Sequence, residues 1–113
     1  MTVVPELQRR TTAGPHLAER VAELCRRWGI VRLELFGSAL RDDFGRESDI
    51  DLLYTAADDV HWGFEFVTLC EEFEALFGRP VDLISRRAVE QSDNPIRRHA
   101  ILSTARTIYE RAG

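Results

Sequence analysis

Two aspartates, Asp49 and Asp51, stand two residues apart at the head of an apolar run, Asp49-Ile50-Asp51-Leu52-Leu53-Tyr54-Thr55. Such a run reads as a β-strand over 49–55, and strand side chains alternate between faces. Both carboxylates then project to one side, with Ile50, Leu52 and Tyr54 on the other. Like charges held side by side repel, and burying them unpaired is costly. A hard divalent cation that takes oxygen ligands, such as Mg2+, is the economical remedy. Asp82 repeats the oddity in a further strand-like run over 80–85, between Val81 and Leu83, whose side chains face the opposite way. If that strand lies beside the one carrying Asp49 and Asp51, three carboxylates on one face can hold one or two Mg2+ ions. A pair of ions suits displacement at phosphorus, one activating the attacking oxygen and the other steadying the leaving phosphate.

The pair Gly37-Ser38 supplies what such a site also needs. Glycine has no Cβ, so a phosphate can approach the backbone closely. The Ser38 hydroxyl and nearby backbone N–H groups can donate to phosphate oxygens, and a helix starting just beyond Ser38 would aim its N-terminus at the same place. Arg41 can add positive charge to the phosphate tail or pair with the aspartates. Taken singly, a Gly-Ser pair is a turn, Asp-x-Asp is a loop pair or a cap, and a strand aspartate pairs with an arginine. Their combination, in this order and spacing, points to a site.

The elements that must position these residues are legible from periodicity. Leu17, Val21, Leu24 and Trp28 form one stripe of a helix over 15–28, with Pro15 in its first turn and Gly29 just past its end. The run Ile30-Val31-Arg32-Leu33-Glu34-Leu35-Phe36 reads as a strand stopped by Gly37. Trp62, Phe66, Leu69, Cys70, Phe73, Leu76 and Phe77 make the apolar stripe of a second helix, with Asp58 or Asp59 as its cap, Gly78 as its end and the glutamates largely off the stripe. Asn94 caps a third helix that opens with Pro95, and a short strand over 106–110 closes the chain. The order α-β-β-α-β-α-β is that of an α/β (α+β) domain, a small mixed β-sheet with helices packed on one face. Residues 1–13 read as a flexible leader and 14–113 as the domain.

At 113 residues the chain suffices for one core, and 44% apolar with 30% charged residues is ordinary globular composition. No apolar run approaches the roughly 18–20 residues that span a bilayer, so no membrane partner is expected, and no export signal opens the chain. The expected compartment is the cytoplasm, with Cys25 and Cys70 as buried free thiols. A net charge of −4 disfavours nucleic acid as the main partner. The pairs Arg26-Arg27, Arg86-Arg87 and Arg97-Arg98 read as helix-end charges and solvated faces.

Gly37-Ser38-Ala39-Leu40-Arg41, Ser48-Asp49-Ile50-Asp51-Leu52 and Val81-Asp82-Leu83-Ile84 together resemble the nucleotidyltransferase superfamily of DNA polymerase β type, and within it the minimal nucleotidyltransferase (MNT) domains. The C-terminal stretch from Asn94 to Arg111 resembles the end of these domains. Asp42 stands where a glycine often follows the motif arginine. The resemblance implies a polymerase β-like core, ATP as substrate and Mg2+, with Asp49, Asp51 and Asp82 as catalytic metal ligands. It puts Gly37, Ser38, Arg41 and Ser48 on the nucleotide. It also implies a small helical partner, a HEPN ribonuclease toxin, silenced by transfer of AMP to one of its tyrosines. A bare domain has no room for a second, acceptor-binding domain, which is why a partner is expected to supply the acceptor. Two alternatives remain at this stage: an antitoxin that masks the toxin without catalysis, and a transferase acting on a small molecule such as an aminoglycoside.

Overall fold

The computed structural model describes residues 16–37 and 49–111. Helix α1 (Leu17–Trp28) leads into strand β1 (Ile30–Phe36), and β2 (Ile50–Ala56) leads into α2 (Glu65–Phe77). Strand β3 (Val81–Ser85) follows, then a short helix α3 (Arg86–Glu90), α4 (Pro95–Thr104) and β4 (Arg106–Glu110). The four strands form one sheet in the order β3-β2-β1-β4. β1 pairs antiparallel with β2 and with β4, while β2 pairs parallel with β3. This is the mixed α/β sheet that the pattern of elements implies.

Leu17, Val21, Leu24 and Cys25 of α1 and Leu69, Phe73, Leu76 and Phe77 of α2 bury against Leu33, Leu35, Ile50, Leu52 and Leu83 of the sheet. Trp62, Phe66 and Cys70 pack at the margin of the same cluster, so the aromatic stripe is core. Polar contacts pin the two helices together: Trp28 Nε1 donates to Glu72 Oε1 at 2.7 Å, and Arg27 Nη1 reaches the same oxygen at 3.4 Å.

The sheet's other face is covered too. Phe36 and Leu53 pack there with Val89 of α3 and Ile101 of α4, flanked by Ile84 and Leu102. The expectation of helices on one face is therefore corrected to two unequal layers. The adjacent apolar pairs Leu35-Phe36, Leu52-Leu53 and Leu83-Ile84 carry the reason, since strands buried on both faces lose strict alternation. Helix α3 was hidden in the run after β3; Ser85 caps it, its Oγ accepting the Ala88 N–H at 3.3 Å. Asn94 caps α4 as expected, Oδ1 accepting the Arg97 N–H at 3.1 Å behind Pro95. Asp58 and Asp59 do not cap α2, whose first residue is Glu65. The chain turns instead at 57–60, where the Val60 N–H donates to the Ala57 carbonyl at 3.0 Å, and Asp58 pairs with Arg87 at 2.8 Å.

Glu34 is the one buried charged side chain among the described residues, 2% exposed. Its alternation with Leu33 and Leu35 suggests a solvated face, but α3 covers it. Arg86 Nη1 lies 2.7 Å from both Glu34 oxygens, and Arg86 Nε donates to Glu90 Oε2 at 3.1 Å. Burial opposes the Arg86 cation, yet the hydrogen bonds and charges of Glu34 and Glu90 outweigh it and hold the guanidinium above its ordinary range. Arg32 Nε approaches Glu34 Oε1 at 3.6 Å.

The thiols differ. Burial pushes Cys25 up to about 12 despite the nearby Arg26 charge. Burial, then the charges of Glu74, Asp82 and Glu71, raises half-buried Cys70 as well.

Two outcomes follow. Glu34→Ala leaves partly buried Arg86 with only Glu90 and should cost about 2–4 kcal/mol in urea denaturation, below the full cost of a dry ion pair because Arg86 keeps Glu90 and some solvent. Replacing both residues, Glu34→Leu with Arg86→Met, should recover most of that loss. In alkylation by iodoacetamide at pH 8, read by mass spectrometry, Cys25 should stay unmodified in native protein and Cys70 should react slowly, and both should react fully in urea.

Candidate active site

Chain direction alone gathers the motif at one end of the sheet. Because β1 and β2 are antiparallel, the end of β1 lies beside the start of β2, and Phe36 is the register partner of Asp51. Because β2 and β3 are parallel, their starts lie together, and Asp51 is the partner of Asp82. Register partners on adjacent strands project from the same face. That face also carries Leu53 and Ile84, so both carboxylates stand on the α3–α4 side, ahead of its apolar cluster. Asp49 precedes β2 by one residue. Asp49 and Asp82 are exposed and Asp51 is half-buried, an exposure suited to ligating something that arrives from solvent.

Gly37 closes the same corner. Its φ is 75°, in the left-handed region that L side chains avoid. A Cβ at this position would collide with the Asp51 carboxylate. Residue 37 is thus held to glycine twice, by backbone and by space, and the strand end lies directly against a carboxylate. The start of β3 is joined to β2 by the Ile50 N–H, which donates to the Pro80 carbonyl at 2.9 Å.

The structure sets Gly37 against Asp51, Asp51 in register with Asp82, and Asp49 one residue ahead of β2; Ser38, Arg41 and Ser48 lie outside the described residues. The donor set is all carboxylate oxygen, the chemistry Mg2+ selects, and the backbone register aligns two of its members. Among the described residues, however, no three His, Cys, Asp or Glu side chains stand as a ready-made cage for an ion. Alignment comes from the fold, and convergence is left to the side chains.

Tyr54, Trp28, Trp62 and Tyr109 pack against the main core rather than lining this corner. His16, His61 and His99 are exposed. Glu74, which periodicity places off the apolar stripe of α2, reaches the start of β3, its Oε2 accepting the Val81 N–H at 3.1 Å. The sequence signal for this contact is that only three residues separate the end of α2 from the start of β3.

Comparison with known proteins speaks to the family and the fold. Residues 17–109 match the model of the nucleotidyltransferase domain family. Over 68 residues, 60% of this chain and 68% of the relative, the sequence is 32% identical to the protein adenylyltransferase MntA of Thermococcus cleftensis. A solved chain provisionally assigned as a minimal nucleotidyltransferase superposes with a TM-score of 0.62 at 30% identity, over 94% of this chain and 95% of that one. At 21% identity, where likeness speaks for fold alone, a toxin–antitoxin structure with AMP-PNP gives a TM-score of 0.62 over 82% of this chain and 73% of that one. The complex of a tri-AMPylated HEPN toxin of Shewanella oneidensis with its MNT antitoxin gives 0.56 at 20% identity, over 83% and 70% of the two chains. With the family model spanning nearly all the described residues and the carboxylates aligned at one sheet end, this chain belongs to the nucleotidyltransferase domain family.

Proposed function

We propose that this protein is a Mg2+-dependent nucleotidyltransferase that moves AMP from ATP to a hydroxyl, a tyrosine of a HEPN-type ribonuclease toxin, and so acts as that toxin's antitoxin. The observation that carries the chemistry is the register of Asp51 with Asp82 beside Gly37. The adenylyltransferase relative and the solved toxin complexes support the choice of nucleotide and acceptor.

In this reading Gly37 and Ser38 receive the triphosphate, Gly37 by its bare backbone and Ser38 by its hydroxyl and N–H, while Arg41 and Ser48 add donors to its oxygens. Asp49, Asp51 and Asp82 are the residues that would hold Mg2+, Asp82 from the acceptor side. Mg2+ bound there would draw charge from the α-phosphate and favour the ionised acceptor oxygen. The acceptor oxygen bonds to the α-phosphorus, the bond from that phosphorus to the bridging oxygen breaks, pyrophosphate leaves, and Asp82 takes the acceptor proton. The all-oxygen ligand set is what makes this corner of the sheet fit for the ion.

A masking antitoxin without catalysis is the competing reading. Phe64, 95% exposed, and Val67 give α2 an apolar edge that a protein partner would cover in either case. Incubation with α-labelled ATP, Mg2+ and the product of a neighbouring HEPN gene separates them. Label is expected on the partner, lost to background in Asp49→Asn and Asp51→Asn. Ribonuclease silencing that survives both substitutions would establish masking instead, and label on an aminoglycoside without any partner would move the acceptor to a small molecule. Gly37→Ala should leave the fold intact by circular dichroism while lowering transfer by about 100-fold or more, the scale expected when a reacting group is displaced by about an ångström.

A further inference from the structure

We infer that Glu74 is a positioning residue for Asp82: from the last turn of α2 its carboxylate takes the outward N–H of Val81 and so holds the strand carrying Asp82 in register with Asp51. The inference rests on the proposed reading of the site and deepens it.

β3 is five residues long, and among the described residues it lies at the sheet edge with β2 as its one strand neighbour. Its pairing is parallel, the slightly weaker mode. The Pro80 carbonyl faces β2 and accepts the Ile50 N–H at 2.9 Å. In a parallel ladder, alternate N–H groups point away from the neighbour, and Val81 carries the first of these on β3. Proline at position 80 has no N–H, so it cannot anchor the entry to β3 as a donor. Glu74 Oε2 accepts the Val81 N–H at 3.1 Å in a half-buried contact.

The same residue ends the helix. Its main-chain carbonyl accepts the Gly78 N–H at 2.8 Å, with Gly78 at φ 71°. One residue thus fixes both ends of the connection between α2 and β3, through its carbonyl on the helix side and its carboxylate on the strand side. Asp82 is the next residue after the clamped one. A shift at Val81 therefore moves Asp82 relative to Asp51, whereas β1 and β2 are held by an extensive antiparallel ladder that does not involve Glu74.

Four proteins test this: the native chain, Glu74→Gln, Glu74→Ala, and Ala75→Gly, which weakens the same exposed turn of α2 without touching Val81. Two readouts apply, amide exchange over 81–83 and calorimetric binding of ATP with Mn2+ as the probe ion. Glu74→Ala should speed exchange over 81–83 and weaken Mn2+-ATP binding by about tenfold or more, in line with loss of a hydrogen bond to a charged acceptor. Glu74→Gln keeps an acceptor oxygen and should stay within about threefold of native, as should Ala75→Gly at matched loss of stability. The inference is overturned if Glu74→Ala binds like the native chain, or if Glu74→Gln or Ala75→Gly loses as much as Glu74→Ala. Should the native chain itself bind no Mn2+-ATP, the reading of the site fails separately. Exchange then decides the clamp: unchanged protection over 81–83 in Glu74→Ala overturns it, and selective loss there sustains it.

Discussion

Asp51 lies between two neighbours set by backbone hydrogen bonding, Phe36 on the antiparallel side and Asp82 on the parallel side. That double register is the constraint on which the rest of the molecule depends. A slip of one residue between β2 and β3 would turn Asp51 and Asp82 to opposite faces, and a slip between β1 and β2 would carry Gly37 away from Asp51, because strand side chains repeat every two residues. β2 must therefore be central, and a central strand must be covered on both sides. The two helical layers meet that demand, α1 and α2 over Ile50 and Leu52, α3 and α4 over Leu53.

The layers are unequal in a way that suits the site. The larger one is apolar throughout and locked by the Trp28–Glu72 contact, giving the sheet a rigid back. The smaller one stands on the carboxylate side and combines a small apolar cluster with the buried Glu34–Arg86 pair. A buried ion pair is weak support for stability compared with packed hydrocarbon, but its geometry is demanding. Here it ties α3, the helix directly after β3, to β1 two strands away. The site is thus framed by contacts that specify position: this pair at the far end of β3 and the Glu74 contact at its start.

Most of the fold was legible because its signals are local. β1 and β4 fall where their apolar runs begin and end, Gly29 and Gly78 stop α1 and α2, and Asn94-Pro95 opens α4. The candidate site stands out for a related reason: a carboxylate inside an apolar strand violates the local pattern, and Asp51 and Asp82 both do so. What escaped depends on partners distant in sequence. Glu34 alternates like a surface residue and is buried only because Arg86, 52 positions on, folds over it. Helix α3 is five residues long, too short for periodicity to declare. Asp58 has the chemistry of a cap, but Val60 turns the chain back and Arg87 claims the carboxylate, so α2 starts later. Glu74 resembles any solvated helix glutamate until β3 is placed beside it.

The central claim is that Asp51 and Asp82 serve one ion together, and a double-mutant cycle on binding tests it most directly. Mg2+-ATP would be titrated calorimetrically into the native chain, Asp51→Asn, Asp82→Asn and the double variant. If the two carboxylates share an ion beside Gly37, the double variant should lose little more affinity than the worse single one. Losses that simply add would mean that the two side chains act on separate sites, and the alignment of β2 with β3 would then carry no chemistry.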